Sequence, residues 1–210
     1  MLYYLNEVKE VQEMKKVRII VADMQNLKLN PEKILPLIAP RYVEKYKRFK
    51  VQKEADQELV TGYMLKEYLG VTSDEQLKLN EQGKPYLAEG KPYFNVSHSG
   101  TCVVLAIADC EIGVDVERVR KYHPATAKRV FSEEQLQALL ELEGDAQNKA
   151  FSKMWTECEA VLKLQGTGFT IDWKQIRESK KGCIVESLCV NDYFISCAAR
   201  ESITIQLDEC

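Results

Sequence analysis

Asp115 and Glu117 lie one residue apart in a segment where Ile112, Val114 and Val116 alternate with Gly113, Asp115 and Glu117. A period of two puts both carboxylates on the strand face opposite the aliphatic side chains, about 6.6 Å apart along the backbone. Carboxylates so spaced can converge on one hard cation. Mg²⁺ keeps several waters and takes one or two carboxylates together with substrate phosphates, which suits this pair. The same alternation equally describes the solvent face of an amphipathic strand. Trp155, Glu159 and Lys163 recur every four residues and form one helical stripe with Ser152 beside it. Glu159 is there either a third acidic ligand or half of an ordinary Glu–Lys pair. Ser97-His98-Ser99-Gly100 follows a strand and reads as a turn whose hydroxyls, imidazole and backbone donors can hold a phosphate. A Ser–His hydrolase would need a third orienting group, and no Gly-x-Ser-x-Gly elbow occurs.

The elements that must position these groups follow from pattern and punctuation. Val17 to Asp23 reads as a strand, and Pro31 to Ile38 as a short helix between Pro31 and Pro40. Arg41, Lys45, Lys47, Arg48, Lys50 and Lys53 lead into a helix with Ala55, Leu59, Gly62, Tyr63, Leu65 and Leu69 on its buried side. That basic run is either a solvated face or an anion-binding flank. Tyr93 to Ser97, Thr101 to Ala108 and Ile112 to Glu117 are three successive strands, with turns at His98 to Gly100 and Asp109 to Glu111. Ser132 and Gln135 make a capping box for a helix that Gly144 ends. Asp145 or Asn148 caps the next, which runs to about Leu164 before Gly166 and Gly168. Ile184 to Leu188, Tyr193 to Ala199 and Ile203 to Leu207 read as strands. Each half thus offers one long helix and a set of strands, an α+β pattern of two similar lobes.

Composition narrows the functional classes. The chain has 210 residues, room for one large domain or two small ones. No apolar run approaches the roughly 18 residues of a membrane span. Glu7, Lys9, Glu10, Glu13, Lys15 and Lys16 interrupt any signal-peptide core, so a cytoplasmic protein is expected. A net charge of -3 argues against a general nucleic-acid binder. Seven cysteines without a Cys-x-x-Cys pair, and only two histidines, leave any metal to the carboxylates.

Taken in order, FNVSHSG (94–100), GVDVE (113–117) and WTECEAVLK (155–163) resemble the signature of the 4'-phosphopantetheinyl transferases of the surfactin-synthetase-activating (Sfp-like) type. Gly83-Lys84-Pro85 upstream and Gly166 to Phe169 downstream extend the resemblance to almost the whole chain. It implies a monomer of two pseudo-symmetric lobes, each a long helix on a small, mainly antiparallel sheet, with residues 1–100 and 101–210 as the lobes and coenzyme A in the cleft. It further implies Asp115, Glu117 and Glu159 on Mg²⁺, with His98, Lys84 and Lys45 on phosphate groups including the 3'-phosphate. Ser97 lies beside them, and Lys163 matches the second lysine of the helical motif. The implied reaction moves 4'-phosphopantetheine from coenzyme A to a serine of an acyl or peptidyl carrier protein and releases 3',5'-ADP. Glu159 is the first choice of base and Glu117 the second.

Departures from the family pattern are specific. Cys158 stands where the family has lysine before the helical glutamate. Glu58 stands near a frequent arginine, and Tyr42 matches the first of two preceding lysines. These changes remove positive charge, and they keep a non-catalytic paralogue that binds coenzyme A or a carrier protein as the alternative. Cys158 is expected to pack inertly. Arg118, Arg120, Lys121, Lys128 and Arg129 offer an edge for an acidic carrier.

Overall fold

The computed structural model describes residues 14–167 and 181–210. The N-terminal residues used to exclude a signal peptide, apart from Lys15 and Lys16, and also Gly168 and Phe169, lie outside them. In chain order the elements are β1 (Lys15–Asp23), α1 (Pro31–Ile34), α2 (Pro40–Arg48), α3 (Gln52–Leu69), β2 (Leu77–Leu79), β3 (Pro85–Leu87), β4 (Tyr93–Ser99), β5 (Cys102–Ala108) and β6 (Ile112–Arg118). There follow α4 (Pro124–Val130), α5 (Glu133–Leu140), α6 (Gly144–Gln165), β7 (Ile184–Val190), β8 (Tyr193–Ala199) and β9 (Ile203–Glu209).

Period-two burial sorts the strands into layers. The first sheet has the order β4-β5-β1-β9, antiparallel except for the parallel β1–β9 pair, and a second has the order β6-β8-β7. β5 is central and apolar on both faces. Its Val103 and Leu105 pack toward Leu59, Met64 and Leu65 of α3. Cys102, Val104 and Ala106 point the other way, onto Ile112, Val114 and Val116 of β6 and Ile195 and Cys197 of β8. The outer face of the second sheet packs against α6 through Ala198, Ala160, Val161 and Leu164. The result is a helix, two sheets and a helix, in that order. Both long helices end on a glycine in the left-handed region, Gly70 (φ 68°) and Gly166 (φ 66°), whose amides reach back to the last-turn carbonyls.

The α+β expectation with small, mainly antiparallel sheets holds. The strands, however, do not separate at residue 100. β5 and β9, both beyond it, complete the first sheet, because β1 needs a partner on each edge to satisfy its backbone. The expected turn at His98 to Gly100 begins later, since Ser99 pairs with Cys102 and keeps β4 extended. Pro31 to Ile38 is not one helix: α1 stops at Ile34 and Leu35–Leu37 is a 3₁₀ turn, where Pro36 has no amide to continue the α ladder. Gly144 (φ 56°) opens α6 rather than closing α5. Neither Asp145 nor Asn148 caps α6: the helix already starts at Gly144 after Glu143, and the Asn148 side chain accepts from the Tyr122 amide. The Ser132–Gln135 capping box forms as expected. The β2–β3 hairpin and α4 had no prior expectation. No helix among the described residues is long and apolar enough to cross a membrane.

Candidate functional site

The site forms where the edge strand of each sheet meets the other. β4 offers Asn95, Ser97 and Ser99 at every second position, and each accepts a hydrogen bond from a backbone amide of β6. Val114 N donates to Asn95 Oδ1 at 2.8 Å, Val116 N to Ser97 Oγ at 3.2 Å and Arg118 N to Ser99 Oγ at 3.2 Å. Side chains thus stand in for a neighbouring strand and satisfy the β6 edge. The serines also donate forward, Ser97 to Asp115 Oδ1 at 2.8 Å and Ser99 to Glu117 Oε2 at 2.9 Å. Both acidic side chains are therefore oriented by β4 hydroxyls. Ser97, expected on a phosphate-holding turn, is instead a buried strand residue in this junction.

α6 closes over the carboxylates because Gly113 lets it. A Cβ at Gly113 would stand 2.1 Å from Leu164 N and 2.2 Å from Ala160 O, so only glycine fits between β6 and the helix backbone. The approach brings Lys163 Nζ to 2.7 Å from Asp115 Oδ1 and 2.6 Å from Ser97 Oγ. Glu159, one turn earlier, feels both strand carboxylates. Burial and the charge of Asp115, with a smaller push from Glu117, raise its pKa to about 8. Arg120 pairs with Glu117 at 3.2 Å and lies over the Trp155 ring, 4.7 Å from its centroid. The structure thus puts Lys163 in contact with Asp115 and leaves Glu159 within electrostatic reach of Asp115, Lys163 and Glu117.

Two of the remaining candidates sit at the mouths of the groove. Lys84 Nζ donates to Ile112 O at 2.9 Å, and burial lowers its pKa to about 8. It borders two adjoining cavities of about 460 and 240 Å³, which also share Pro85 and Gly166. His98 is an exposed residue near the end of β4, where lost hydration and the Lys163 charge hold its pKa below the usual histidine value. Lys45, on α2, points at Glu58 of α3 with Nζ 3.2 Å from Oε2.

Among the described residues no three acidic, histidine or cysteine side chains already enclose a cation site. The donor set nevertheless fits a hard divalent cation. Asp115 Oδ2 is buried and has no hydrogen-bond partner, Glu159 is within electrostatic reach of Asp115 and Glu117, and Lys163 and Arg120 pair with those two. A cation there would satisfy the orphan oxygen and offset the charge that Asp115 and Glu117 impose on Glu159. Sequence reasoning missed Asn95 and Gly113 as site-builders and gave the Ser99 hydroxyl to a phosphate, whereas it bonds Glu117 and the Arg118 amide. The Asn-x-Ser-x-Ser alternation was the available signal for Asn95 and for the true role of Ser99. Cys158 is buried against Ala127, Val130 and Phe151, away from the carboxylates.

Residues 111–203 match the profile of the 4'-phosphopantetheinyl transferase superfamily. The chain is 30% identical over 146 residues to the 4'-phosphopantetheinyl transferase Sfp of Bacillus subtilis, covering 67% of this chain and 65% of that protein. It is 37% identical over 89 residues to the 4'-phosphopantetheinyl transferase psf-1 of Bacillus pumilus, covering 42% and 38%. Against the 4'-phosphopantetheinyl transferase AcpT of Salmonella typhi it is 36% identical over 95 residues, covering 43% and 50%. The matched stretch therefore spans less than two thirds of each of these relatives.

Proposed function

We propose, for a chain whose residues 111–203 belong to the 4'-phosphopantetheinyl transferase superfamily and whose relatives include Sfp, that it transfers 4'-phosphopantetheine from coenzyme A to a serine hydroxyl of an acyl or peptidyl carrier protein. The observation that carries this reading is the β4–β6–α6 junction, in which Lys163 and the Ser97 hydroxyl hold Asp115 Oδ1 and leave Oδ2 unsatisfied, with Glu159 within reach of the charges of Asp115 and Glu117. Asp115, Glu117 and Glu159 would hold Mg²⁺, which when bound neutralises charge on the pyrophosphate.

The chain's own groups do the rest. Lys163 and Lys84 supply positive charge along the groove, and the exposed His98 ring offers a hydrogen bond to a phosphate oxygen. The carrier serine oxygen bonds to the phosphorus bearing the pantetheine, the anhydride P–O bond breaks, and 3',5'-ADP leaves with the electron pair. The hydroxyl proton goes to a carboxylate oxygen. Glu159 is the first choice of base and Glu117 the second.

In this reading the two long helices with their sheets are pseudo-symmetric lobes of a cytoplasmic monomer, with the donor in the cleft between them. The basic residues after β6, Lys121, Lys128 and Arg129, face an acidic carrier, while Arg120 turns inward onto Trp155. A second reading, a paralogue that binds coenzyme A or a carrier protein without catalysis, is favoured by the Lys45–Glu58 pair, which removes a free charge from the groove. Mass spectrometry of an apo-carrier protein incubated with coenzyme A and Mg²⁺ decides. A pantetheinyl adduct supports transfer, and an unmodified carrier supports the second reading. Breakdown of coenzyme A without an adduct refutes both.

A further inference from the structure

The inward-facing cations of α2 are each matched by a carboxylate of this chain. Arg41 donates from Nε and from its backbone amide to Asp74 Oδ1, at 3.0 and 3.1 Å. Lys45 Nζ reaches both oxygens of Glu58, at 3.2 and 3.4 Å, and stands 5.3 Å from the ring centroid of the buried Tyr42. Glu58 is only 11% exposed in its side chain, whereas Lys45 is 43% exposed. The carboxylate is thus the fixed member of the pair and the ammonium has come to it.

The neighbourhood makes that placement firm. Gly62, one turn after Glu58, allows α2 onto α3: a Cβ there would lie 2.7 Å from Ile38 Cδ1 and 3.0 Å from Tyr42 Cβ. Gln57, beside Glu58, donates to Gly100 O at 3.0 Å and ties α3 to the turn that follows β4. Glu58 and Lys45 are both near enough to His98 to act on its charge, in opposite directions. This end of the groove therefore presents Lys45 paired with Glu58 and Lys163 paired with Asp115, around an imidazole whose pKa is held below the usual histidine value. It has no surplus charge for a phosphomonoester dianion, and a dianion drawn to Lys45 meets the Glu58 carboxylate behind it.

We propose that Glu58 is a specificity residue that cancels recognition of the 3'-phosphate, so that the protein takes pantetheine donors lacking that phosphate as readily as coenzyme A. The inference rests on the reading of the groove as a coenzyme A site with Lys45 and His98 at its 3'-phosphate end. The pyrophosphate and the pantetheine, which the two donors share, are held by the other residues of the site and contribute equally to both.

Titration calorimetry of the full chain with coenzyme A and with 3'-dephospho-coenzyme A, in Mg²⁺ and without a carrier protein, tests it. The wild type should bind the two ligands within about threefold of each other. Glu58→Gln, which keeps shape and removes the charge, should tighten coenzyme A about tenfold and leave the dephospho ligand unchanged. A wild-type preference for coenzyme A above tenfold overturns the proposal, as does a Glu58→Gln variant in which coenzyme A binds more weakly; the latter would mean that Glu58 orients Lys45 for the phosphate. Should the variant fail to fold by circular dichroism, the wild-type ratio alone decides. A wild type that binds neither ligand overturns the coenzyme A reading itself and this inference with it.

Discussion

Replacing Gly113 by alanine puts one methyl group between β6 and α6, and the structure sets what must follow. The new Cβ would lie 2.1 Å from Leu164 N, 2.2 Å from Ala160 O and 2.8 Å from Leu164 Cα, where ordinary contact begins at 3.4 Å. All three are backbone atoms, so no rotamer change relieves the clash and the helix must retreat by about 1.3 Å. Overpacking of this kind costs about 1 to 3 kcal/mol of stability. The larger effect falls on chemistry. Glu159 and Lys163 ride on α6 while Asp115 and Glu117 ride on β6, and a misplacement of about 1 Å lowers rates roughly 100-fold. The assay is the rate of carrier loading by mass spectrometry, paired with thermal unfolding. Ile20→Ala is the control, because Ile20 is buried in the cluster against α3 and its truncation costs about 2 to 5 kcal/mol without touching α6. Gly113→Ala should lose far more turnover than Ile20→Ala at comparable or smaller loss of stability. Wild-type turnover in Gly113→Ala, or equal losses in the two variants, refutes the argument that this glycine sets the site's geometry.

Lys163→Met strips the ammonium from Asp115, which is 3% exposed and keeps only the Ser97 hydroxyl, so unfolding in urea should show a loss of about 3 kcal/mol or more. For Lys84, burial lowers the pKa from 10.5 to about 8, so nucleotide affinity should fall as pH rises through 8, and Lys84→Met should lose that dependence. The stability sign is opposite: between about pH 8 and 10.5 the unfolded chain binds more protons, so stability from this group rises with pH across that window, which urea midpoints of the wild type against Lys84→Met will show. Cys158, 2% exposed, should be alkylated slowly in the native protein while the exposed Cys189 reacts first, and Cys158→Ser should keep most of its turnover. Rapid labelling at Cys158 with loss of transfer would make that thiol part of the mechanism.

What the chain alone determined is local. Period-two alternation in Ile112–Glu117 put Asp115 and Glu117 on one face, and the structure keeps them there, with Val114 and Val116 between the sheets. A period of four aligned Glu159 with Lys163, and Ser132 with Gln135 marked a helix start, because each pattern reports interactions within one or two turns. What lay beyond reach required pairing across distant segments. That Lys163 would choose Asp115 over Glu159, that β4 side chains would replace a neighbouring strand for β6, and that β9 would lie parallel to β1 are decided by packing between residues 19 to 188 positions apart. The turn reading of His98 to Gly100 failed for the same reason: the pairing of Ser99 with Cys102 kept the chain extended, and the hydroxyls meant for a phosphate went to β6. Glu58 shows the limit most clearly. Sequence marked it as a departure, but only the approach of α2 to α3 over Gly62 gives its carboxylate to Lys45, since a charge acquires its role from whatever the fold brings within a few ångströms of it.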